Sequence, residues 1–550
     1  MPLISLLPGW VLLTALLGHP APDPPETAAP PAIASCPPMA ADRIRVTIAP
    51  DIVEALRERP PVATAVPPRL LVLLCETEGP VGGRDPLGAP FFRRPQPIRS
   101  IPIDLRTLDA DQTFDLGDAA PGVAAVPPRL DTLEGGFAIR AVLDLGTARG
   151  HDAAGNPISG IVETTFARGR EDEIELRLDD RIEETPLPER DGVVWVELES
   201  PMLSEAMGRP VFHRAGVVLP PGYDDLDHPR RFWPTLYEIP GFGGDHRDAM
   251  AWRRIQRGRR GAPLAVPAVV VVLDPNDPLG HHGFVDGDNT GPRGTAFVEE
   301  FIPWLESRFR LVSDPSARML HGHSSGAWSS LWLQLEHPET FGACFASAPD
   351  PVDFTAFQLI DLSRDDSMWF DASDTPVPSY REPLGPDLDR VLMTVEDEMN
   401  MERALAPDGT SGEQWSAWNA MFSGRDPVTG RPVAAFDLAT GRIDRDVIER
   451  DWSRFDITAR LRRDPAQYAP ILRERVRLMC GSRDSYYLER AVRRLAETLD
   501  DVDPRDPDAA PTAGSIEIID GATHDTVVGH AMSRWLPEMR ELARLRRSQE

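Results

Sequence analysis

From Arg43 to about Glu199 the chain alternates apolar and polar residues, or runs through short β-branched stretches, between Pro- and Gly-rich turns. Arg43–Ala49, Leu70–Glu76, Phe137–Leu145, Ile161–Ala167, Glu173–Leu178 and Val193–Glu199 all have this texture. A period of two puts successive side chains on opposite faces of a strand. Many short strands with turn signals, and few helical patterns, predict an all-β, sandwich-like domain over residues 41–205. After about Met202 apolar strands begin to alternate with amphipathic helical stretches, the signature of a mainly parallel sheet covered on both faces. Strands are predicted at Ala215–Leu219, Thr235–Ile239, Ala268–Leu273, Arg318–Leu320, Gly342–Ser347, Val476–Cys480 and Ser515–Ile519. Helices fit Thr295–Arg310, Ala327–His337, Tyr487–Leu499 and His530–Arg546. Residues 206–550 therefore read as an α/β domain. Its alternation is interrupted at about 350–474 by a stretch rich in Asp, Pro and Trp, too long for a bare loop. That stretch is predicted to fold as a lid or cap with short helices of its own.

Composition narrows the class. At 550 residues the chain exceeds one ordinary core, and 41 % hydrophobic with 26 % charged residues is usual for a soluble globular protein. A formal net charge of −29 argues against nucleic acid and anionic membrane surfaces as partners. All 58 basic residues are arginines, for which a codon bias is a simpler account than a demand for guanidinium. Residues 3–17 are apolar but short for a bilayer, and Pro8 interrupts them. With the Pro/Ala-rich run that follows, residues 1–40 resemble a signal segment and linker, so export to a periplasmic or extracellular space is expected. The charged start of a signal peptide is missing, and Cys36 lies too far beyond the apolar run for a lipoprotein box. Cys36 and Cys75 would be able to pair after export, whereas Cys344 and Cys480 sit in apolar strand patterns as buried thiols.

The strongest chemical signal is Gly322-His323-Ser324-Ser325-Gly326, which follows the strand Arg318–Leu320 and opens an apolar helix. A random GxSxG occurs in about one chain in six of this length, so the motif is weak alone and gains its force from this strand–turn–helix setting. A serine hydroxyl needs a base, and the base needs an orienting carboxylate. In this order of elements the acid and base belong in loops after later strands. Asp484 follows Val476–Cys480 and His524 follows Ser515–Ile519. An N-cap role for Asp484 competes with the acid role, and His530 is the second choice of base. Two backbone N–H groups should hold the carbonyl oxygen: Ser325 in the elbow, and Phe242 in the glycine-rich Pro240–Gly244 loop.

These segments, "VVLPPGYDD" (217–225), "PTLYEIPGFGGDH" (234–246), "GHSSGAW" (322–328), "GSRDSYYLE" (481–489) and "GATHD" (521–525), resemble the putative esterase (esterase D-like) family of α/β hydrolases. The resemblance spans about 210–549. It implies an α/β-hydrolase fold with Ser324 as nucleophile, Asp484 as acid and His524 as base, a small-molecule ester substrate, and no metal or organic cofactor. Ala327 stands where many members have glycine, and the 350–474 insertion is longer than in compact members. The first two hundred residues lie outside it.

Other features have plainer readings. His281-His282 with Asp286 and Asp288 lack clear zinc spacing and suit a polar loop at the catalytic edge. Asp350 and Asp353 suit a hydrogen-bonding role. Trp369, Trp415 and Trp418 fit either an acyl pocket or the packed core of a lid. An esterase is the leading expectation. The rivals are an acyltransferase with the same triad and an inactive hydrolase-fold binding protein. The sequence leaves the oligomeric state open.

Overall fold

A computed structural model describes residues 43–546 apart from 63, 80–81, 89–94, 119, 148–149, 168–172, 226–230, 259–265, 386–387 and 505–511. The signal-like segment and Cys36 lie outside the described residues. Among those described, no helix is long and apolar enough to cross a membrane.

The N-terminal strands, expected as two stacked sheets, are hydrogen-bonded into one nine-stranded sheet. An inner strand, Arg69–Glu76, pairs antiparallel with both Ile98–Pro102 and Gly135–Asp144. Alternation assigns its two faces. Leu70, Val72 and Leu74 join Ile44, Val46, Ile139 and the helix Pro50–Glu58 in one core. Leu71 and Leu73 join Ile98 and Val142 in another, completed by Met401, Ala404 and Leu405. Those last three residues belong to the helix Val395–Leu405, inside the insertion. A helix more than 300 residues away thus supplies the second layer that a sandwich would have drawn from a second sheet. Ser100 Oγ bonds the Ala404 carbonyl, and buried Arg69 meets Asp408 and Thr410 across the same seam.

The second sheet has eight strands, in the order Val193–Glu199, Phe212–Val218, Val269–Leu273, Thr235–Ile239, Arg318–His323, Ala343–Ser347, Val476–Gly481 and Ser515–Ile519. It is mixed. The first two pairings are antiparallel and the rest are parallel. Val193–Glu199, grouped by its texture with the N-terminal strands, is the edge strand here. The inner strands are buried almost throughout, as layers on both faces require. The helices Ala249–Arg257, Ser325–Glu336, Glu489–Val502 and Thr526–Arg546 pack against them in one continuous core.

Residues 350–474 form a packed body. They contain the hairpin Pro378–Gly385/Leu388–Thr394 and the helices Val395–Leu405, Gln414–Phe422, Ile457–Arg463 and Pro465–Arg475. Trp415, Trp418, Trp452, Phe357, Phe422 and Phe436 interlock edge-to-face or tilted, with ring centroids between 4.8 and 6.2 Å apart. Trp415 and Trp418 are core residues at 1 % and 3 % exposure.

Candidate active site

Ser324 sits between the strand Arg318–His323 and the helix Ser325–Glu336 at φ 58°, ψ −127°. A non-glycine residue at positive φ is strained and persists only where its surroundings enforce it. Here they do. The Ser324 N–H is bonded to the Ser347 carbonyl at 3.0 Å, while its own carbonyl accepts from Ala327 and Trp328. Both flanking glycines are required by space. A Cβ on Gly322 would lie 2.2 Å from the Gly326 carbonyl oxygen, and one on Gly326 would lie 2.0 Å from that of Ile239.

Asp484 follows the strand Val476–Gly481 and has no exposed surface. Its Oδ2 is 2.8 Å from His524 Nδ1, and its Oδ1 accepts the Tyr486 N–H at 2.9 Å and the Leu488 N–H at 3.4 Å. The next helix begins at Glu489 and is flanked by Leu488, so Asp484 is not its N-cap. The hairpin Pro378–Thr394 grips this loop: Arg381 Nε bonds the Asp484 carbonyl at 2.9 Å, and the guanidinium also meets Glu489 and Asp389. Arg381 carries no sequence signal, since only the fold brings it to a loop about a hundred residues later. Asp503, a carboxylate further along the chain from Asp484, pairs with Arg473 beyond the end of that helix.

His524 is 4 % exposed, with its ring wedged between His323 at 4.5 Å and Tyr486 edge-on at 4.9 Å. His323 directly precedes Ser324, so this contact sets the imidazole against the elbow. Burial works against a charged His524. Asp484 outweighs it through its charge and hydrogen bond, with Asp525 and Asp350 adding to it, and the pKa is raised above the ordinary value. Burial and the neighbouring His524 hold His323 well below its ordinary value, so it stays neutral. His530 lies exposed in the helix Thr526–Arg546.

The loop after Thr235–Ile239 meets the elbow directly. A Cβ on Gly241 would lie 3.3 Å from Ser324 Cβ and 3.0 Å from the His323 carbonyl oxygen, so Phe242 begins its turn beside Ser324. On the other side Ser325 Oγ donates to Asp350 Oδ2 at 2.7 Å, and Trp418 Nε1 donates to the same oxygen at 2.8 Å. Burial raises the Asp350 pKa, although both hydrogen bonds oppose the shift. Trp418 is thereby tied to the residue that begins the elbow helix.

The remaining tempting residues are structural. Asp286 accepts the Gly294 and Thr295 N–H groups at the start of a helical turn. His281 and His282 are buried and bonded to nearby backbone. Asp353 caps the turn Phe354–Ala356, and Trp369 Nε1 points to Met399 Sδ at 3.1 Å. Among the described residues no group of three or more His, Cys, Asp and Glu is arranged to hold a metal.

A half-buried elbow serine in a mixed, helix-covered sheet, beside a buried Asp–His pair, is the framework of a serine hydrolase. Residues 204–425 match the model of the family described as "Putative esterase". The match contains Ser324 and the Phe242 loop; Asp484 and His524 lie beyond it. Among solved structures the chain is similar to a ferulic acid esterase, at 14 % identity and TM-score 0.39, over 64 % of this chain and 98 % of that one. It is also similar to an S-formylglutathione hydrolase from Agrobacterium tumefaciens, at 15 % identity and TM-score 0.36, over 65 % and 98 %. A third is the fluorophosphonate-binding serine hydrolase F of Staphylococcus aureus, at 13 % and 0.33, over 63 % and 98 %. No curated protein matches the chain.

Proposed function

We propose that the chain is a serine esterase of α/β-hydrolase fold that cleaves a small-molecule carboxylic ester through an acyl-enzyme. The observation that carries this reading is the strained Ser324 elbow beside His524, whose Nδ1 is held 2.8 Å from a fully buried carboxylate. Asp484 keeps the proton on Nδ1, leaving Nε2 free to take the proton of Ser324. Ser324 Oγ then attacks the ester carbonyl. The Phe242 and Ser325 N–H groups receive the developing oxyanion, and the imidazolium protonates the leaving alcohol. Water, activated by the same imidazole, attacks the acyl-enzyme, releases the acid and restores Ser324.

The test is fluorophosphonate labelling alongside hydrolysis of a short-chain aryl ester. The wild type should label at Ser324. Ser324→Ala should lose labelling and about 10⁴- to 10⁶-fold in kcat while keeping its melting temperature, because a small side chain at the elbow carries little packing. Labelling elsewhere, or more than a few per cent of activity left in Ser324→Ala, overturns the assignment.

A further inference from the structure

The turn that carries Phe242 is built almost entirely of glycine. Gly244 N–H bonds back to the Gly241 carbonyl at 2.9 Å, and Gly243 has φ 77°, the left-handed value a type II turn needs at its third residue. Glycine lets this backbone approach Ser324, but it also removes the side chains that would hold the turn still. An oxyanion site works only if its donors are fixed before the charge develops. Rigidity must come from outside the turn.

A two-rung hairpin supplies it. Asn276–Asp277 and Gly280–His281 pair antiparallel, with Asn276 opposite His281. From one strand Asn276 Nδ2 donates to the Gly244 carbonyl at 2.8 Å; from the other His281 Nε2 meets the Pro240 carbonyl at 3.0 Å. These two carbonyls bracket the turn. His281 Nδ1 accepts the Gly283 N–H at 3.1 Å, so its proton sits on Nε2 and points at Pro240. Burial pulls its pKa down to about 4 against the opposing Pro240 bond and Asp274 charge, which keeps the ring neutral and the tautomer single. Asn276 Nδ2 also donates to Asp274 Oδ1 at 2.9 Å, and Asp274 Oδ2 takes His246 Nδ1 at 3.1 Å. The clamp is therefore tied at its base to the far end of the same loop.

We propose that His281 and Asn276 are positioning residues for the oxyanion-binding turn, fixing the direction of its N–H groups by holding the Pro240 and Gly244 carbonyls. The inference rests on the esterase reading and adds a specific arrangement to it. Neither side chain needs to touch substrate, so their loss should act on turnover far more than on substrate binding.

The experiment measures kcat and KM on a short-chain aryl ester for His281→Leu, His281→Gln, Asn276→Ala and the double variant His281→Leu/Asn276→Ala. Rates are expressed per fluorophosphonate-titrated site, and melting temperatures are recorded. A displacement of about 1 Å costs roughly 10²-fold, so His281→Leu should lose about 10- to 100-fold in kcat with KM within about twofold. His281→Gln, whose amide N–H reaches the same carbonyl, should recover most of that loss, an outcome that a purely packing role would not give. Asn276→Ala at a half-buried position should lose about tenfold, and the double variant should lose less than the product of the singles, because both hold one turn. If His281→Leu does not fold, His281→Gln and Asn276→Ala decide. Wild-type kcat per site in Asn276→Ala, or His281→Gln no better than His281→Leu, overturns the clamp. With Ser324→Ala inactive, those results refute the clamp alone; wild-type turnover in Ser324→Ala overturns the esterase reading and the clamp with it.

Discussion

Asp484→Asn tests the acid assignment most sharply, because the two carboxylate oxygens face different partners. Oδ1 accepts the Tyr486 N–H at 2.9 Å and the Leu488 N–H at 3.4 Å, and Oδ2 holds His524 Nδ1 at 2.8 Å. Asparagine offers one acceptor and one NH₂ donor. With its oxygen toward Tyr486, the NH₂ faces His524 Nδ1, which must turn acceptor. The ring proton then moves to Nε2, the atom that has to accept from Ser324. The flipped amide would set NH₂ against two backbone donors in a site closed to water, at a cost of about 1–3 kcal/mol for each donor left unpaired. The first arrangement therefore wins, and it disables the base. A wrong tautomer lowers kcat by about 10⁴ in enzymes of this chemistry, or about 5.4 kcal/mol of barrier.

The same substitution changes the pH profile. Burial alone would depress His524, and Asp484 reverses that. The base must be neutral, so wild-type kcat/KM should rise with pH and level off only above a pKa higher than the ordinary imidazole value of about 6.5. The residual activity of Asp484→Asn should rise at lower pH. A raised folded-state pKa favours the protonated ring in the folded protein. Its stabilising contribution is full below the unfolded value and is lost as pH rises through the folded one. The variant should lack that slope in chemical denaturation. The assay is kcat/KM on an aryl ester from pH 5 to 9, with urea melts at the same pH values. A variant within tenfold of wild type, or with an unmoved profile, would refute the argument and shift the acid role to Asp525 or Asp350, the other carboxylates that raise His524.

Gly326→Ala should cost about 1–3 kcal/mol and most of the activity, since its Cβ would press on the Ile239 carbonyl 2.0 Å away and push the elbow helix off the central strand; a urea midpoint and kcat both at wild-type values would contradict this. Trp415→Ala should lose about 3–5 kcal/mol of stability, because the ring is buried in the aromatic cluster and its Nε1 bonds Glu398 Oε2 at 2.7 Å. KM for short esters should stay within about twofold, and a change of substrate preference without loss of stability would support the lid reading of the insertion.

The sequence by itself determined what local geometry can encode. A serine between glycines, after an apolar strand and before an apolar helix, specifies an elbow because only residues without side chains fit the contacts at Gly322 and Gly326. The apolar run in Leu70–Glu76 marks a strand buried on both faces, and loops after late strands mark where Asp484 and His524 stand. These are properties of periods and φ/ψ values within a few residues. The tertiary structure alone decided which distant surfaces meet. The second layer over the N-terminal sheet comes from Met401, Ala404 and Leu405, so the apolar run announced a buried face without naming its cover. Trp415 and Trp418 are core rather than pocket, because an aromatic run has the same pattern whether it lines a cavity or fills one. Arg381 on the Asp484 loop, Trp418 on Asp350 and His281 on Pro240 join residues between about 40 and 100 positions apart. No period spans such distances. Their partners are fixed only when packing excludes water and each buried polar atom must find the donor or acceptor that the fold has brought beside it.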